Sequence, residues 1–214
     1  MSEIPLFPLN VVLMPGTPQP LHIFEERYKQ MVNECLEGDA EFGMVLADDS
    51  GTRQVGCTAK IVELVQRFDD GRMVILVEGS RRFKLKNVMS GKPYYVGDVE
   101  YFEEGPEEDV TPLAEECVAL LERVIEAATE GSVGIEIEPP YHNLSFNIAG
   151  RVEFDLDTRQ QILELPTEKG RLERVKELLT ETADKLERDR QIREKAEKNG
   201  HLRGNWKPTN PEDS

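Results

Sequence analysis

The sequence has few histidines and cysteines, which often serve as catalytic residues and metal ligands. Its 214 residues include three histidines and three cysteines, and Cys35, Cys57 and Cys117 are widely spaced with no CxxC pair. An odd number at such spacings argues against a disulfide framework or a zinc site and favours a reduced, cytoplasmic protein. We therefore expect each cysteine to be a small buried apolar residue.

Nucleotide-binding and hydrolytic motifs are also missing. The chain contains no GxxxxGK[ST], GxGxxG, HExxH or GxSxG, so we expect no phosphate-cradling loop, no cofactor, no metal and no catalytic residue. His22 lies in a proline-rich stretch and His201 in the C-terminal tail, which leaves His142 as the only candidate for a catalytic site. A small-molecule hydrolase built on His142 and carboxylates is accordingly the least favoured of three functional hypotheses.

Basic residues are outnumbered by acidic ones, 26 against 42, and long apolar runs are lacking. The net charge of −16 disfavours nucleic acid and anionic membrane surfaces as partners. No window approaches the roughly 18 consecutive apolar residues of a membrane-spanning helix. The apolar N-terminus lacks a basic region and is interrupted by Pro5, Pro8 and Pro15, so it is interpreted as part of the fold and not as a signal peptide.

The first hundred residues have the pattern of a β-rich region with one helix. Apolar residues at helical spacing predict a helix over Phe24–Leu36, and Asp69-Asp70-Gly71 is typical of a hairpin turn. About six short strands around that helix predict a closed or nearly closed β-barrel. The predicted strands are Ile4–Leu13, Phe42–Ala47, Gly56–Phe68, Met73–Val77, Arg82–Val88 and Tyr94–Phe102.

The remainder of the chain has the pattern of helices. Thr111-Pro112 predicts one helix start, Asn143 and Asp157 are expected to cap two short helices, and Thr167 to open the last and longest one. The predicted organisation is a barrel over residues 1–103, an acidic linker over 104–110, a helical subdomain over 111–198 and a disordered tail over 199–214.

Three stretches, taken in order, resemble the LON substrate-binding domain family, which forms the substrate-recruiting N-terminal domain of the Lon protease. They are IPLFPLNVVLMPGTPQPLHIFEERYKQMV (Ile4–Val32), VGCTAKIVELVQRFDDGRMVILVEGSRRFKL (Val55–Leu85) and LSFNIAGRVEFDLDTRQQILEL (Leu144–Leu165). The resemblance covers roughly residues 4 to 186. It implies an α+β fold: a PUA-like, mostly antiparallel β-barrel with one inserted helix, followed by a C-terminal helical bundle.

The resemblance also implies a function. It predicts a free-standing, non-catalytic module that binds unfolded or flexible polypeptide segments, without the ATPase and Ser-Lys protease modules of the full protease. It places the peptide-binding surface at the first helix and the adjacent loop. We expect the contacts to come from seven residues: Met14, Pro15, Thr17, Pro18, Glu25, Glu26 and Arg27. Met14 is of interest there because a flexible thioether tolerates varied apolar ligands.

Other conspicuous residues are expected to have structural roles. Gly16, Gly71 and Gly79 are expected to supply turn geometry. Leu21 and Phe24 are expected in the core, and Arg81 and Arg82 are expected to be exposed, pairing with Glu78 or with a partner's acids.

The second functional hypothesis is an adaptor for one folded partner. Residues 98–138 contain 14 Asp and Glu against one basic residue, Arg123, and such a segment would dock a basic surface. Its simpler interpretation is a solvated surface that keeps the protein soluble. The apolar stripe of the last helix could pack on the barrel or pair with another copy, so oligomerisation through that helix is left open.

Overall fold

The computed structural model describes residues 2–103, 109–129, 137, 139 and 141–203, except the side chains of 194 and 197–203. The acidic linker lies mostly outside these residues, as does the structure of the predicted tail beyond 203. The described elements, in chain order, are β1 (Ser2–Leu9), β2 (Pro18–Ile23), α1 (Glu26–Gly38), β3 (Phe42–Asp48), β4 (Gly51–Arg67), β5 (Met73–Met89), β6 (Tyr95–Tyr101), α2 (Thr111–Thr129), α3 (Leu144–Arg151), α4 (Leu156–Glu164) and α5 (Glu168–Arg203).

The strands form one sheet that curls back on itself. Their order is β2-β5-β4-β3-β1-β6, and β6 pairs with β5 as well as with β1. Only β1 and β3 run parallel; the other pairs are antiparallel. Among the described strands β2 pairs on one side only, so the barrel is left partly open. The α+β class and the mostly antiparallel barrel are confirmed.

The two strands predicted at Met73–Val77 and Arg82–Val88 are one continuous strand, β5. Its first half pairs with β2 and β4, and its second half pairs with β4 and β6. The sequence predicts a break at Gly79 because glycine is typical of turns. Gly79 instead lies inside the strand, where the Met14 carbonyl approaches so closely that a Cβ would sit 2.0 Å from its oxygen. Gly16 and Gly71 do have the positive φ of turns.

Two hydrophobic clusters of residues that the structure describes lie in the barrel. The smaller contains Ile4, Leu6, Val45, Phe83 and Val99. The larger packs the inner side of α1 against the sheet, and it includes Leu21, as predicted. Its members are Phe7, Leu13, Leu21, Ile23, Tyr28, Met31, Val32, Cys35, Phe42, Met44, Cys57, Ala59, Met73, Ile75, Val77 and Tyr94. Phe24 was expected in this core but is 64% exposed, because α1 begins only at Glu26 and Phe24 precedes it.

The chain packs as two compact units. The first comprises Met1–Ala114 and Glu138–Val175, and the second Glu115–Ile137 and Lys176–Ser214. This division differs from the predicted boundaries at 103 and 111, because α3 and α4 pack with the strands. Gln160 Nε2 of α4, for example, donates to the Val55 carbonyl of β4.

In the second unit, apolar side chains of α2 and α5 are buried, among them Cys117, Leu121, Leu179 and Ala183. None of the described helices is long and apolar enough to cross a membrane.

The ends of α3 and α4 differ in detail from the sequence prediction. Asp155, not Asp157, caps α4, and its carboxylate accepts from the Thr158 amide. Asn143 does precede α3, but its backbone is left-handed and its side chain makes no capping hydrogen bond. Thr167 accepts from the Gly170 amide at the start of α5, as expected of a cap.

Two buried arginines connect β5, α3, α4 and α5. Arg82, predicted to be exposed, is 3% exposed and donates to the carbonyls of Leu163, Leu165 and Pro166 at the end of α4. Arg171 donates to the Leu165 and Pro166 carbonyls. Both guanidinium groups lie over the ring of Phe146, at 5.4 and 4.3 Å from its centroid. The C-terminal end of a helix favours such cations because its last carbonyls are unpaired and its dipole is negative there.

Candidate functional site

The predicted loop Met14–Pro18 is held firmly against β5. The Gly16 amide donates to the Gly79 carbonyl at 2.8 Å, and the Gly79 amide donates back to the Thr17 carbonyl at 3.0 Å. The Thr17 hydroxyl closes the turn by donating to the Met14 carbonyl. This arrangement fixes the loop as a rigid wall next to the start of β2.

The loop presents only part of the predicted contact set. Met14 is 1% exposed and Pro15 is also buried, whereas Thr17 is half-buried and Pro18 is exposed. The idea that Met14 offers an accessible thioether is therefore wrong, because its side chain belongs to the core. Of the four predicted contact residues in this loop, Thr17 and Pro18 are the ones that reach solvent.

A cavity of about 310 Å³, called here the loop pocket, lies between this loop and helices α3 and α4. Gly150 allows the close approach, since a Cβ there would meet Thr17 Cγ2 at 2.6 Å. Its lining contains two arginines and no carboxylate, although the chain as a whole is acidic. The lining residues are Val12, Met14, Gly16, Thr17, Pro18, Gln19, Asn147, Gly150, Arg151 and Arg159.

Two polar atoms of residues that line the loop pocket are buried and have no hydrogen-bond partner within the described part of the chain. They are Asn147 Oδ1 and Arg159 Nε. The Arg159 guanidinium is positioned by a hydrogen bond from Nη2 to the Val152 carbonyl. Buried polar atoms are usually partnered, so these two make the pocket a candidate polar binding site.

The predicted face of α1 lies apart from the loop pocket. Glu25 and Glu26 are exposed and Arg27 is half-buried, and all three are engaged locally: Arg27 pairs with Glu25, and Glu26 pairs with Lys29. Glu26 and Arg27 line a shallow cavity of about 530 Å³ to which Thr17 and Pro18 do not contribute. Neither of these two cavities is lined by all seven predicted residues, and their joint role in peptide binding stays a prediction.

The rest of the α1 face is also engaged within the protein. Hydrogen bonds from Lys92, Tyr94 and Gln30 lower the pKa of Glu34 from 4.5 to about 2. Lys29 donates to the Asp70 carbonyl at the β4–β5 turn, and Arg67 donates to Asn33. This face holds the hairpin onto α1, which gives it a structural role.

The sheet has an open strand edge that was not predicted from the sequence, called here the β4 edge and defined as residues 60–67. Pairing of β4 with β3 ends at Ala59, and the edge then pairs only with β5 among the described strands. Its outer row of backbone N–H and C=O groups therefore faces away from the sheet. Such a row is a template on which another chain can pair.

Apolar side chains are exposed along and just beyond the β4 edge. Val62, Leu64 and Val65 are 48%, 38% and 54% exposed, and Phe68 follows at 36%. The sequence did contain a signal, because the strand pattern of Gly56–Phe68 continues well past the end of β3. Val62 and Val65 break its alternation of apolar and polar residues, which indicates apolar groups on the solvent side.

The free edge of β2, on the other side of β5, cannot easily accept an added strand. β2 carries Pro18 and Pro20, which lack an N–H and cannot donate to an added strand. The β4 edge contains no proline. Of the two free edges, only that of β4 is chemically suited to extension.

The remaining candidates have no obvious chemistry. His142 is an exposed turn residue that lines neither cavity. The three cysteines are free and buried, as predicted, and burial raises the pKa of Cys57 to about 12. Within the described ranges no three His, Cys, Asp or Glu side chains are grouped as metal ligands.

The acidic segment 98–138 lies partly outside the described residues. In its described portion, Glu116 pairs with Lys176, and the segment's one cation, Arg123, pairs with Glu187. Each of these pairs lies within the second unit. A docking role for this segment stays a prediction.

A family model, curated relatives and solved structures that this chain matches belong to Lon proteases or their N-terminal domains. The sequence model of the ATP-dependent protease La (LON) substrate-binding domain matches residues 3–181. The Lon protease of Cytophaga hutchinsonii is 24% identical over 91% of this chain, which corresponds to 26% of that relative. The chain spans about a quarter of the length of the first curated relatives that it matches.

Two solved structures have a similar fold. The Lon N-terminal domain protein from Xanthomonas campestris is 25% identical with a TM-score of 0.62, and the match covers 82% of this chain and 97% of that one. The N-terminal domain of the Mycobacterium avium complex Lon protease is 16% identical with a TM-score of 0.65, over 86% of this chain and 98% of that one. The latter likeness concerns the fold alone.

Proposed function

Because the chain belongs to the family of ATP-dependent protease La (LON) substrate-binding domains, we propose that it binds flexible polypeptide segments in an extended conformation along the β4 edge. The observation that carries this proposal is the unpaired side of residues 60–67, flanked by exposed apolar side chains. The family description supports substrate binding in general. The β4 edge suggests how a substrate segment would bind, by pairing with the open strand.

The physical basis is strand addition. A flexible segment that lies along an open edge satisfies its own backbone N–H and C=O groups with those of the edge, whatever its sequence. Main-chain pairing thus provides affinity for many different clients. A folded client, whose backbone groups are already paired, gains nothing from this contact, so the mode selects unfolded or flexible segments.

Side chains at the edge add a preference for apolar segments. Val62, Leu64 and Val65 would lose part of their exposed surface on binding, and burial of apolar surface is favourable by about 25 cal/mol per Å². Lys60 and Glu63, both exposed, border these residues with charge of both signs. Clients with alternating apolar residues are therefore expected to bind best.

Irregularities in β4 limit the length of the added segment. The register between β4 and β5 shifts between Ile61 and Glu63 and again between Leu64 and Gln66. Such bulges twist a strand and interrupt its ladder. Short client segments are thus favoured over long strands, which also protects the edge from pairing with another copy.

We further propose that the domain is non-catalytic and works in the cytoplasm. The family description names a binding domain, and the buried free thiols suit a reducing compartment.

The replacement Val65→Lys tests the proposed surface. It is expected to weaken binding of a fluorescein-labelled, C-terminally amidated peptide of alternating valine and serine, flanked by lysines, by about tenfold, because it removes apolar contact and places a charge against the client. Fluorescence anisotropy at fixed ionic strength gives the affinity.

Val88→Lys is the matched control. Val88 is also 54% exposed on a strand, so the variant introduces the same charge change away from the β4 edge. It should leave the affinity unchanged. Equal weakening by both variants would indicate a general charge effect, and no weakening by Val65→Lys would remove the edge from the binding surface.

A further inference from the structure

From the lining of the loop pocket, we infer that it binds a carboxylate group of a polypeptide client, at its C-terminus or on an Asp or Glu side chain. The inference rests on the proposed function in one respect, since the carboxylate is assigned to a polypeptide. The pocket is a separate site from the β4 edge, and no residue of that edge lines it.

The charge of the pocket selects an anion. Arg151 and Arg159 line the cavity, and no Asp or Glu does. This local surplus of positive charge occurs in a chain with 42 acidic and 26 basic residues. Because surrounding acids would oppose anions elsewhere on the surface, the pocket is a favourable place for a negatively charged group.

The hydrogen-bonding atoms specify the anion further. The N–H at Arg159 Nε is buried without a partner in the described structure. Asn147 Oδ1 is also buried without a partner there, so the Asn147 amide is the second polar group of the pocket. Asn147 Oδ1 is an acceptor and does not itself bond a carboxylate, so the amide must rotate by a half turn to present one of its two N–H donors there. The Arg159 Nε–H would then donate to one carboxylate oxygen and the Asn147 amide N–H to the other, and the contact to arginine is charge-assisted.

The walls of the pocket are rigid enough to hold such a group. Thr17 is fixed by its bond to the Met14 carbonyl, and the Arg159 guanidinium by its bond to the Val152 carbonyl. The close contact of Gly150 with Thr17 joins α3 to the loop. A site that is preorganised loses little conformational freedom on binding.

The pocket also lies within reach of the β4 edge. In the sheet, Pro18 at the loop pairs with Glu78 of β5, and Glu78 pairs with Lys60, the first residue of the edge. Neighbouring strands are spaced by about 4.8 Å, so these two positions are roughly 10 Å apart. A few extended residues of one client can span that distance.

The test compares two forms of the same valine-serine peptide, one with a free C-terminal carboxylate and one amidated. The free acid is expected to bind about tenfold more tightly. Arg159→Gln should abolish this preference and leave the affinity for the amidated peptide unchanged. Arg123→Gln is the matched control in the second unit and should retain the preference. A second pair of amidated peptides, with one internal Glu or Gln, separates a side-chain carboxylate from a terminal one.

A readout that needs no peptide separates this inference from the proposed function. Titration with N-acetylglycine, followed by the Asn147 side-chain NH₂ resonances, is expected to shift those resonances in the native protein and in Val65→Lys. Arg151 is exposed, so the variant Arg151→Gln is expected to fold normally. It should lower the affinity for N-acetylglycine several-fold. Absence of a shift, or a free-acid preference that survives Arg159→Gln, would overturn the carboxylate site even if peptides bind at the edge.

Discussion

Replacing Arg82 with methionine is expected to lower the free energy of unfolding by about 3–5 kcal/mol, although the two side chains have similar length. The buried guanidinium supplies donors to the carbonyls of Leu163, Leu165 and Pro166. Methionine cannot donate, so these carbonyls would remain buried without this partner at the end of α4. The melting temperature of the protein should fall by roughly 10 °C or more.

The matched control is Arg72→Met. Arg72 is an exposed arginine at the β4–β5 turn whose ion pair with Asp70 is solvated, and such pairs add little to stability. Its loss should hardly change the melting temperature, as measured by differential scanning calorimetry. A melting temperature of Arg82→Met close to that of the native protein would show that the α4 carbonyls do not depend on this residue.

Replacing Gly79 with alanine is expected to cost about 3 kcal/mol of stability and to release the loop from β5. The new Cβ would lie 2.0 Å from the Met14 carbonyl oxygen and 2.7 Å from its carbon. Backbone atoms cannot turn aside as a flexible side chain can. The loop must therefore move, and the reciprocal hydrogen bonds of Gly79 with Gly16 and Thr17 would be lost.

Gly38→Ala is the control for this change. Its Cβ would meet Ala40 Cβ at an ordinary 3.9 Å, and alanine is the better helix former at the end of α1. Chemical denaturation should place Gly38→Ala within about 1 kcal/mol of the native protein. Amide exchange at Gly16 and Thr17 should accelerate in Gly79→Ala only. Unchanged exchange there would mean that the loop tolerates the extra methyl group.

The sequence predicted the classes of the elements well because local patterns determine them. The Asp69-Asp70-Gly71 turn, the strand alternation of β6 and the apolar stripe of α1 are local properties that survive in the fold. For residues whose partner is distant in the sequence, local patterns predicted the wrong burial. Nothing in the sequence next to Arg82 indicates that its partners are carbonyls about 80 positions later. An arginine without such an indication is expected to have an exposed side chain.

The candidate site was harder to predict for the same reason. The loop at Met14–Pro18 was identified, but its second wall comes from Asn147, Arg151 and Arg159, which only the packing of α3 and α4 places beside it. The β4 edge depends on β3 being shorter than β4, a difference in pairing that no single strand pattern reveals. Burial of Met14 likewise follows from tertiary packing and not from its chemical type.

The most direct test of polypeptide binding at the β4 edge is backbone amide hydrogen exchange with and without the amidated valine-serine peptide. Strand addition predicts slower exchange at amides within residues 60–67, because their outward N–H groups become hydrogen-bonded, while the exposed α1 face is unaffected. Protection confined to α1, or to the second unit, with residues 60–67 unchanged at saturating peptide, would contradict the proposal.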